Sequence, residues 1–375
     1  MKTQMIQITT GAALLSVYTF VPILAREHLS VSEIYIPLIV GGEATAAFIA
    51  SYIFGRAGDV YGRRMIIRAG LLLATLSVSL LLVSSSLETL FIVRVMNGFC
   101  VGIYPGALAA YAYESKIKMG RFATWGAVGW GLGTLFAGYA AGFNIYYAFV
   151  VSTVFLATAF LSALTLPDIP RVSMRVPLFP IETFKRNMHI YAALFLRQST
   201  AAAIWALWPL FLFDLGATTL TIAVVQATNA LSQVVFMALI TDRVESKKLI
   251  AIGLIASVVT FAWFPLARNV LEILPSQVLL GLSWACLYVG SLKYVTENNE
   301  DRSTAVGLLQ SVLALCGVIG PILATALYLV WPEYWPAMIF AAAMSMVSFG
   351  LFRMSDRHKR EPKIVDNVDI PIKTS

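Results

Sequence analysis

Three charged side chains, Glu43, Arg94 and Arg197, stand inside long apolar stretches of this chain, where charge is expensive and tends to serve a purpose. A carboxyl withdrawn from water can take up and release a proton near ordinary pH, whereas an arginine stays charged throughout. Glu43 lies some nine residues into its stretch, roughly 14 Å along a helix. It is therefore placed to carry a proton, with Arg94 tuning it; a fixed Glu43–Arg94 ion pair is the alternative. Amides and aromatics gather at helical spacing elsewhere. Gln226, Asn229 and Gln233 share one face, Gln277, Trp284, Tyr288 and Ser291 make a second stripe, and Arg197 and Trp208 share an azimuth with Trp205 nearby. Asn97 follows Arg94 by one turn. Convergence of several such stripes suits a solute cavity. Interhelical hydrogen bonds explain any single amide equally well, and Trp205 and Trp208 also suit an aromatic belt at a membrane edge.

The elements that must position these groups are set by composition. Of 375 residues, 59% are apolar and 13% charged, where soluble proteins carry about 25% charged residues. Mean hydropathy is +0.79. An ordinary soluble enzyme cannot cover its surface with so little charge, and a disordered chain needs the opposite balance. Cys100, Cys286 and Cys316 lie in apolar runs and the three histidines are scattered, so neither a disulfide framework nor a metal site is expected. A helix needs about 20 mostly apolar residues to cross a bilayer. Such stretches occur at 3–25, 69–87, 95–113, 122–167 (two spans, turning at Gly142-Phe143-Asn144), 215–241, 249–267, 273–292, 303–332 and 334–352, with two more near 34–56 and 190–213. The fold class is therefore an all-α integral membrane protein of twelve transmembrane helices, the first of them uncleaved.

Lysine and arginine set the orientation. With the N-terminus inside, most of the 27 basic residues fall in cytoplasmic segments, and only Arg26 and Arg268 in external loops. Both termini are then cytoplasmic, and the net charge of +7 is a topology signal. No basic-aromatic module for nucleic acid accompanies it. A polar, proline-broken segment divides the chain into a first six-helix bundle at 1–166, a cytoplasmic linker at 167–189 and a second bundle at 190–353. A disordered cytoplasmic tail is expected at 354–375. The halves align with Asp59 on Asp242, Arg64 on Lys247, Gly70 on Gly253, Arg94 on Gln277 and Gly98 on Gly281. Such parallel repeats place a solute at the midplane between them. Spans 3, 6, 9 and 12 lack amides and mid-span charges, so they are expected to face lipid.

Between spans 2 and 3 stands Gly55-Arg56-Ala57-Gly58-Asp59-Val60-Tyr61-Gly62-Arg63-Arg64. This resembles the loop motif of the major facilitator superfamily, Gly-x-x-x-Asp-x-x-Gly-Arg-Arg/Lys, and the resemblance in span count and repeat covers nearly the whole chain. It implies a transporter whose halves rock about a central site, which works as a monomer. It also implies a cytoplasmic latch of Gly55, Asp59, Gly62, Arg63 and Arg64 in which Asp59 faces the start of span 11 near Ser303 and Thr304. Glu114 resembles the acidic partner of such latches; the other reading of Arg63 and Arg64 is simple positive-inside anchoring. Arg94-Val95-Met96-Asn97-Gly98-Phe99-Cys100-Val101-Gly102 is similar to the second motif of the twelve-span drug:proton antiporters. Span 5 has that group's glycines without its proline, and a Gly320-Pro321 pair appears in span 11 instead.

The function expected is secondary transport of small organic solutes at the plasma membrane: proton-coupled efflux of amphipathic, drug-like compounds. An organic-anion or metabolite carrier or facilitator of the same fold is the alternative, since two buried arginines face one acid. A non-transporting membrane sensor or assembly factor is the other class. No nucleotide-binding Gly-x-x-x-x-Gly-Lys-Ser/Thr loop is present, no cofactor is expected, and no His, Asp or Cys cluster points to an enzyme.

Overall fold

Hydrocarbon offers backbone amides no partners, so a chain that crosses it must close its own hydrogen bonds. A computed structural model describes residues 2–31, 35–168, 176–217 and 219–358, and there the apolar stretches are helices. In the first half these are α1 (Lys2–Ile23), α2 (Ile36–Tyr61), α3 (Arg63–Ser79), α4 (Leu87–Ile103), α5 (Pro105–Glu114), α6 (Met119–Ala141) and α7 (Ile145–Leu164). In the second they are α8 (Ile181–Asp214), α9 (Thr219–Leu239), α10 (Ser246–Trp263), α11 (Val270–Glu297), α12 (Arg302–Val330) and α13 (Trp335–His358). With α4 and α5 forming one rod, these make twelve spans among the described residues. Ten are long and apolar enough to cross a membrane by themselves. The other two are α9 and the glycine-rich α6. This is a multi-pass, all-helical membrane protein.

Local sequence explains the breaks. Pro105 has no amide hydrogen to continue α4 and instead opens α5. The turn at Gly142-Phe143-Asn144 ends in an Asn144 side chain that accepts from the Tyr146 amide at 2.9 Å. Three boundaries differ from expectation. Span 2 does not end at 56: α2 continues to Tyr61, so most of the motif is helical and only Gly62, at φ +101°, is the joint. The segment 167–189 is not all connector, because α8 starts at Ile181, where Glu182 favours a helix start. Asn187 and Asn299 hold that extension by exchanging amide hydrogen bonds of 3.0 and 3.1 Å. The last helix runs to His358 rather than 353. The remainder of the tail, 359–375, lies outside the described residues.

Spans 3, 6, 9 and 12 are the outer ones. Helices α3 and α7 pack chiefly on first-half helices, and α10 and α13 chiefly on second-half helices. Their outward residues, such as Leu72, Leu76, Val154, Leu161, Ile255, Val259, Met346 and Val347, are exposed and apolar, as a lipid-facing surface requires. The halves meet along two seams, α2 and α5 against α12, and α6 against α9. The first is lined by small residues. Gly55 and Gly307 meet backbone to backbone, and Ser311 donates to the Phe48 carbonyl at 3.1 Å. Small residues let two backbones approach where hydrocarbon supplies no drive for association.

That geometry gives a direct test. A methyl group at residue 307 would meet the Cα of Gly55 and the Ser51 carbonyl, whereas one at Gly41 meets open space. Gly307→Ala is expected to cost about 1–3 kcal/mol by overpacking. Gly41→Ala is expected to leave stability unchanged or raise it by up to about 1 kcal/mol. Thermal unfolding in detergent, followed by tryptophan fluorescence, measures both; equal midpoints would show that the seam is not closely packed.

Candidate functional site: two clasps and a divided interior

The motif is a polar knot at one end of the molecule. Helix α12 begins at Arg302, so the amides of Ser303 and Thr304 have no partners within their own helix. Asp59, buried at the end of α2, takes both, at 3.2 and 2.7 Å, together with the Thr304 hydroxyl at 2.6 Å. The carboxylate thus sits on the positive end of the α12 dipole. Arg63 donates to it at 3.1 Å and also pairs with Glu114. Glu114 reaches Arg302 at 3.6 Å, and the Arg302 guanidinium lies 4.9 Å from the centre of the Tyr113 ring. A side chain at Gly58 would run into Ser303, which explains the second glycine of the segment. Arg64 stands apart: its partner is Asp168 at 3.4 Å, whose side chain is 79% exposed. Arg64 therefore does not share in the buried knot, and an exposed pair of this kind contributes little.

A second clasp closes the other seam at the same end. Asp242, after α9, accepts from the amides of Gly120 at 2.8 Å and Arg121 at 3.1 Å, in the first turn of α6. Gly120 is required, because a side chain there would strike Thr241 and Asp242. Asp242 has no ion pair among the described residues, so this clasp rests on the helix dipole and two hydrogen bonds alone. The sequence reading did not place Asp242 in the site. The signal was the alignment of Asp59 with Asp242.

The interior charges divide between the halves. Glu43 on α2 and Arg94 on α4 form a buried ion pair, and the Arg94 guanidinium lies 5.7 Å from the Tyr18 ring centre. Gly98 presses on the Glu43 backbone, so the fourth residue after Arg94 must be small for the two helices to meet. Nε and Nη1 of Arg94 and both amide atoms of Asn97 are buried without a partner among the described residues. Arg197 on α8 is held otherwise. Its Nε donates to Ser257 at 2.8 Å, Nη2 to Ser283 at 3.2 Å and Nη1 to Gln198 at 2.5 Å. Phe261 and Trp284 lie 5.1 and 5.7 Å away. No carboxylate pairs with it among the described residues.

The amide and aromatic stripes meet only in part. A cavity of about 210 Å³ is lined by Trp205, Trp208, Gln226, Asn229, Gln277 and Leu280, from α8, α9 and α11. Gln233 closes onto Asn229 at 2.6 Å, and Asn229 donates to the Gln277 carbonyl at 3.4 Å. Trp208 is 2% exposed and packs on Phe264, 4.6 Å between ring centres, and on Trp205 at 5.5 Å. It is a cavity and core residue and no part of a membrane-edge belt. Trp284 and Tyr288 do not line this cavity; they stack on each other at 5.4 Å, and Gln310 reaches the Tyr288 hydroxyl at 3.4 Å.

Two bundles clasped at one end, with polar groups confined between apolar outer helices, define a multi-pass membrane transporter. The chain belongs to the Major Facilitator Superfamily, which it matches over residues 6–186 and 190–369. It is 26% identical over 345 residues to the multi-drug resistance efflux pump PmrA of Streptococcus pneumoniae, covering 84% of this chain and 86% of that one. It is likewise 26% identical over 339 residues to the class C tetracycline resistance protein of Escherichia coli, covering 83% and 84%. In fold it is similar to the human organic anion transporter MFSD10 (TETRAN), with a TM-score of 0.79 at 13% identity over 94% of this chain and 98% of that one. The nucleoside transporter NupG gives a TM-score of 0.66 at 14% identity over the same shares.

The clasps can be read separately by amide hydrogen exchange. A hydrogen bond to a charged group contributes about 1.5–3 kcal/mol, roughly ten- to hundredfold in protection. Asp59→Asn is expected to speed exchange at Ser303 and Thr304 while leaving Gly120 and Arg121 unchanged, and Asp242→Asn to do the reverse. Protection that survives either substitution would mean the carboxylate does not hold that helix end.

Proposed function

We propose that this protein exports amphipathic, drug-like aromatic compounds across the plasma membrane in exchange for protons. Its two six-helix bundles would alternate about the central site, with the segment between α7 and α8 joining them and the clasped end facing the cytoplasm. The observation that carries proton coupling is Glu43, two turns into α2 and the one carboxylate among the described residues that is buried away from the ends of a span, against Arg94. A proton on Glu43 removes its charge and leaves Arg94 uncompensated in a medium that solvates charge poorly. Each protonation change therefore alters the packing of α2 on α4, and α2 also carries Asp59 and the seam with α12. Export of drug-like compounds is supported by the two efflux and resistance relatives. The orientation is supported by the basic residues at the clasped end. A second reading, an organic-anion carrier, is favoured by Arg197, a buried charge with no acid beside it.

A proton-flux assay separates these readings. The protein in liposomes with an internal pH dye is challenged with lipophilic aromatic cations, neutral aromatics and organic anions, beside Glu43→Gln. The expected outcome is proton movement driven by cationic or neutral aromatics and reduced in the variant to the level of protein-free liposomes. Solute movement without protons, unchanged by Glu43→Gln, would make Glu43 a structural charge and the protein a facilitator. Movement of anions alone would favour the Arg197 reading.

A further inference from the structure

The cavity between α8, α9 and α11 is built for one kind of chemical group. Trp205 and Trp208 supply flat apolar walls, and Leu280 adds a third apolar surface. Gln277 is 1% exposed, and its side-chain nitrogen has no hydrogen-bond partner among the described residues. Native proteins rarely leave a buried amide donor unpaired, because its desolvation is then uncompensated. The neighbouring amide is already engaged: the Asn229 side-chain oxygen accepts from Gln233 and its nitrogen donates to the Gln277 backbone carbonyl. Gln226 is exposed at the rim. Among the described residues no ionisable side chain lines the space. Glu43 is neutralised by Arg94 in the other half, and Arg197 is turned to Ser257, Ser283 and Gln198.

We propose that this cavity is a subsite for a flat aromatic ring bearing a hydrogen-bond acceptor such as a carbonyl, received against the wall that Trp205 and Trp208 form together, with its acceptor on the side-chain nitrogen of Gln277, and selected without regard to the net charge of the whole molecule. The proposal rests on the reading of the chain as an exporter of aromatic compounds and names which part of such a compound is recognised. The volume of about 210 Å³ is below the roughly 300–1,000 Å³ of a site that encloses a whole drug. The subsite therefore takes one fused ring system and leaves the rest of the solute outside it. A site built to pair with a polar group rejects an analogue that lacks it, because its own buried group then stays unpaired. One such hydrogen bond gives about tenfold in affinity.

Three fused bicycles of similar size test this: coumarin offers an acceptor, indole a donor, and naphthalene neither. Each is titrated by equilibrium dialysis against the full-length protein in lipid nanodiscs, with binding to empty nanodiscs subtracted. Coumarin is expected to bind about tenfold more tightly than the other two. Gln277→Leu, close in volume, is expected to bring coumarin to the level of naphthalene without changing naphthalene. Equal affinity for all three in the unaltered protein overturns the proposal without recourse to any variant. So does tighter binding of indole, or coumarin binding that survives in a Gln277→Leu protein with an unchanged thermal midpoint. The measurement is at equilibrium with no proton gradient. Coumarin selectivity without transport would leave the subsite standing and remove the exporter reading, and proton-coupled export without that selectivity would do the opposite.

Discussion

A bilayer interior solvates neither charge nor an unpaired amide, and the arrangement of this chain follows from that single constraint. Amides and mid-span charges are absent from α3, α7, α10 and α13, and the outward faces of those helices carry exposed leucine, isoleucine, valine and methionine. What polarity remains is paired or collected inward. Glu43 has Arg94, and Arg197 has two serines and a glutamine. The unpartnered atoms of Asn97 and Gln277 lie within the bundles rather than against lipid.

The same constraint explains how two bundles can be held together and still separate. Apolar burial gives little association inside hydrocarbon, so the α2–α12 seam relies on close backbone approach at Gly55 and Gly307. Closure is fixed by Asp59 and Asp242 on the first-turn amides of α12 and α6. Both clasps lie at the end of the spans, where water can replace the broken bonds when the halves part, which keeps the cost of opening moderate. The two are unequal. Asp59 is backed by Arg63, Glu114 and Arg302, whereas Asp242 has only the helix end.

The halves share a helix plan but carry different interiors. Where the first half has Arg94, paired across to Glu43, the second has Gln277 buried in the lining of an aromatic cavity. The first is a place where charge is balanced by charge, the second one where an amide and two tryptophans line a space without charge. One fold thereby holds a buried ion pair in one bundle and an aromatic, amide-lined cavity in the other, with α2 and α12 meeting at the seam between them.

Much of this was legible in the chain itself. Twelve spans, their lipid-facing members and the Gly55–Arg64 motif follow from hydropathy and residue type, because a membrane forces nearly every polar residue to declare its place. Asp59 against Ser303 and Thr304, and Glu114 beside Arg63, also follow from the motif. Sequence misplaced Arg64, which pairs with exposed Asp168, and it left Trp208 divided between a belt and a cavity. It also counted Trp284, Tyr288 and Gln233 toward one cavity, whose lining among the described residues does not include them. Helical periodicity gives the direction of a side chain around its own axis, but not which helix stands opposite or how far away. The order of the spans was therefore fixed by the sequence alone. Which amide keeps a free donor, that Asp242 clasps Gly120 and Arg121, and that Arg197 faces serines instead of an acid were decided only when the helices packed, since each depends on the distance between elements far apart in the chain.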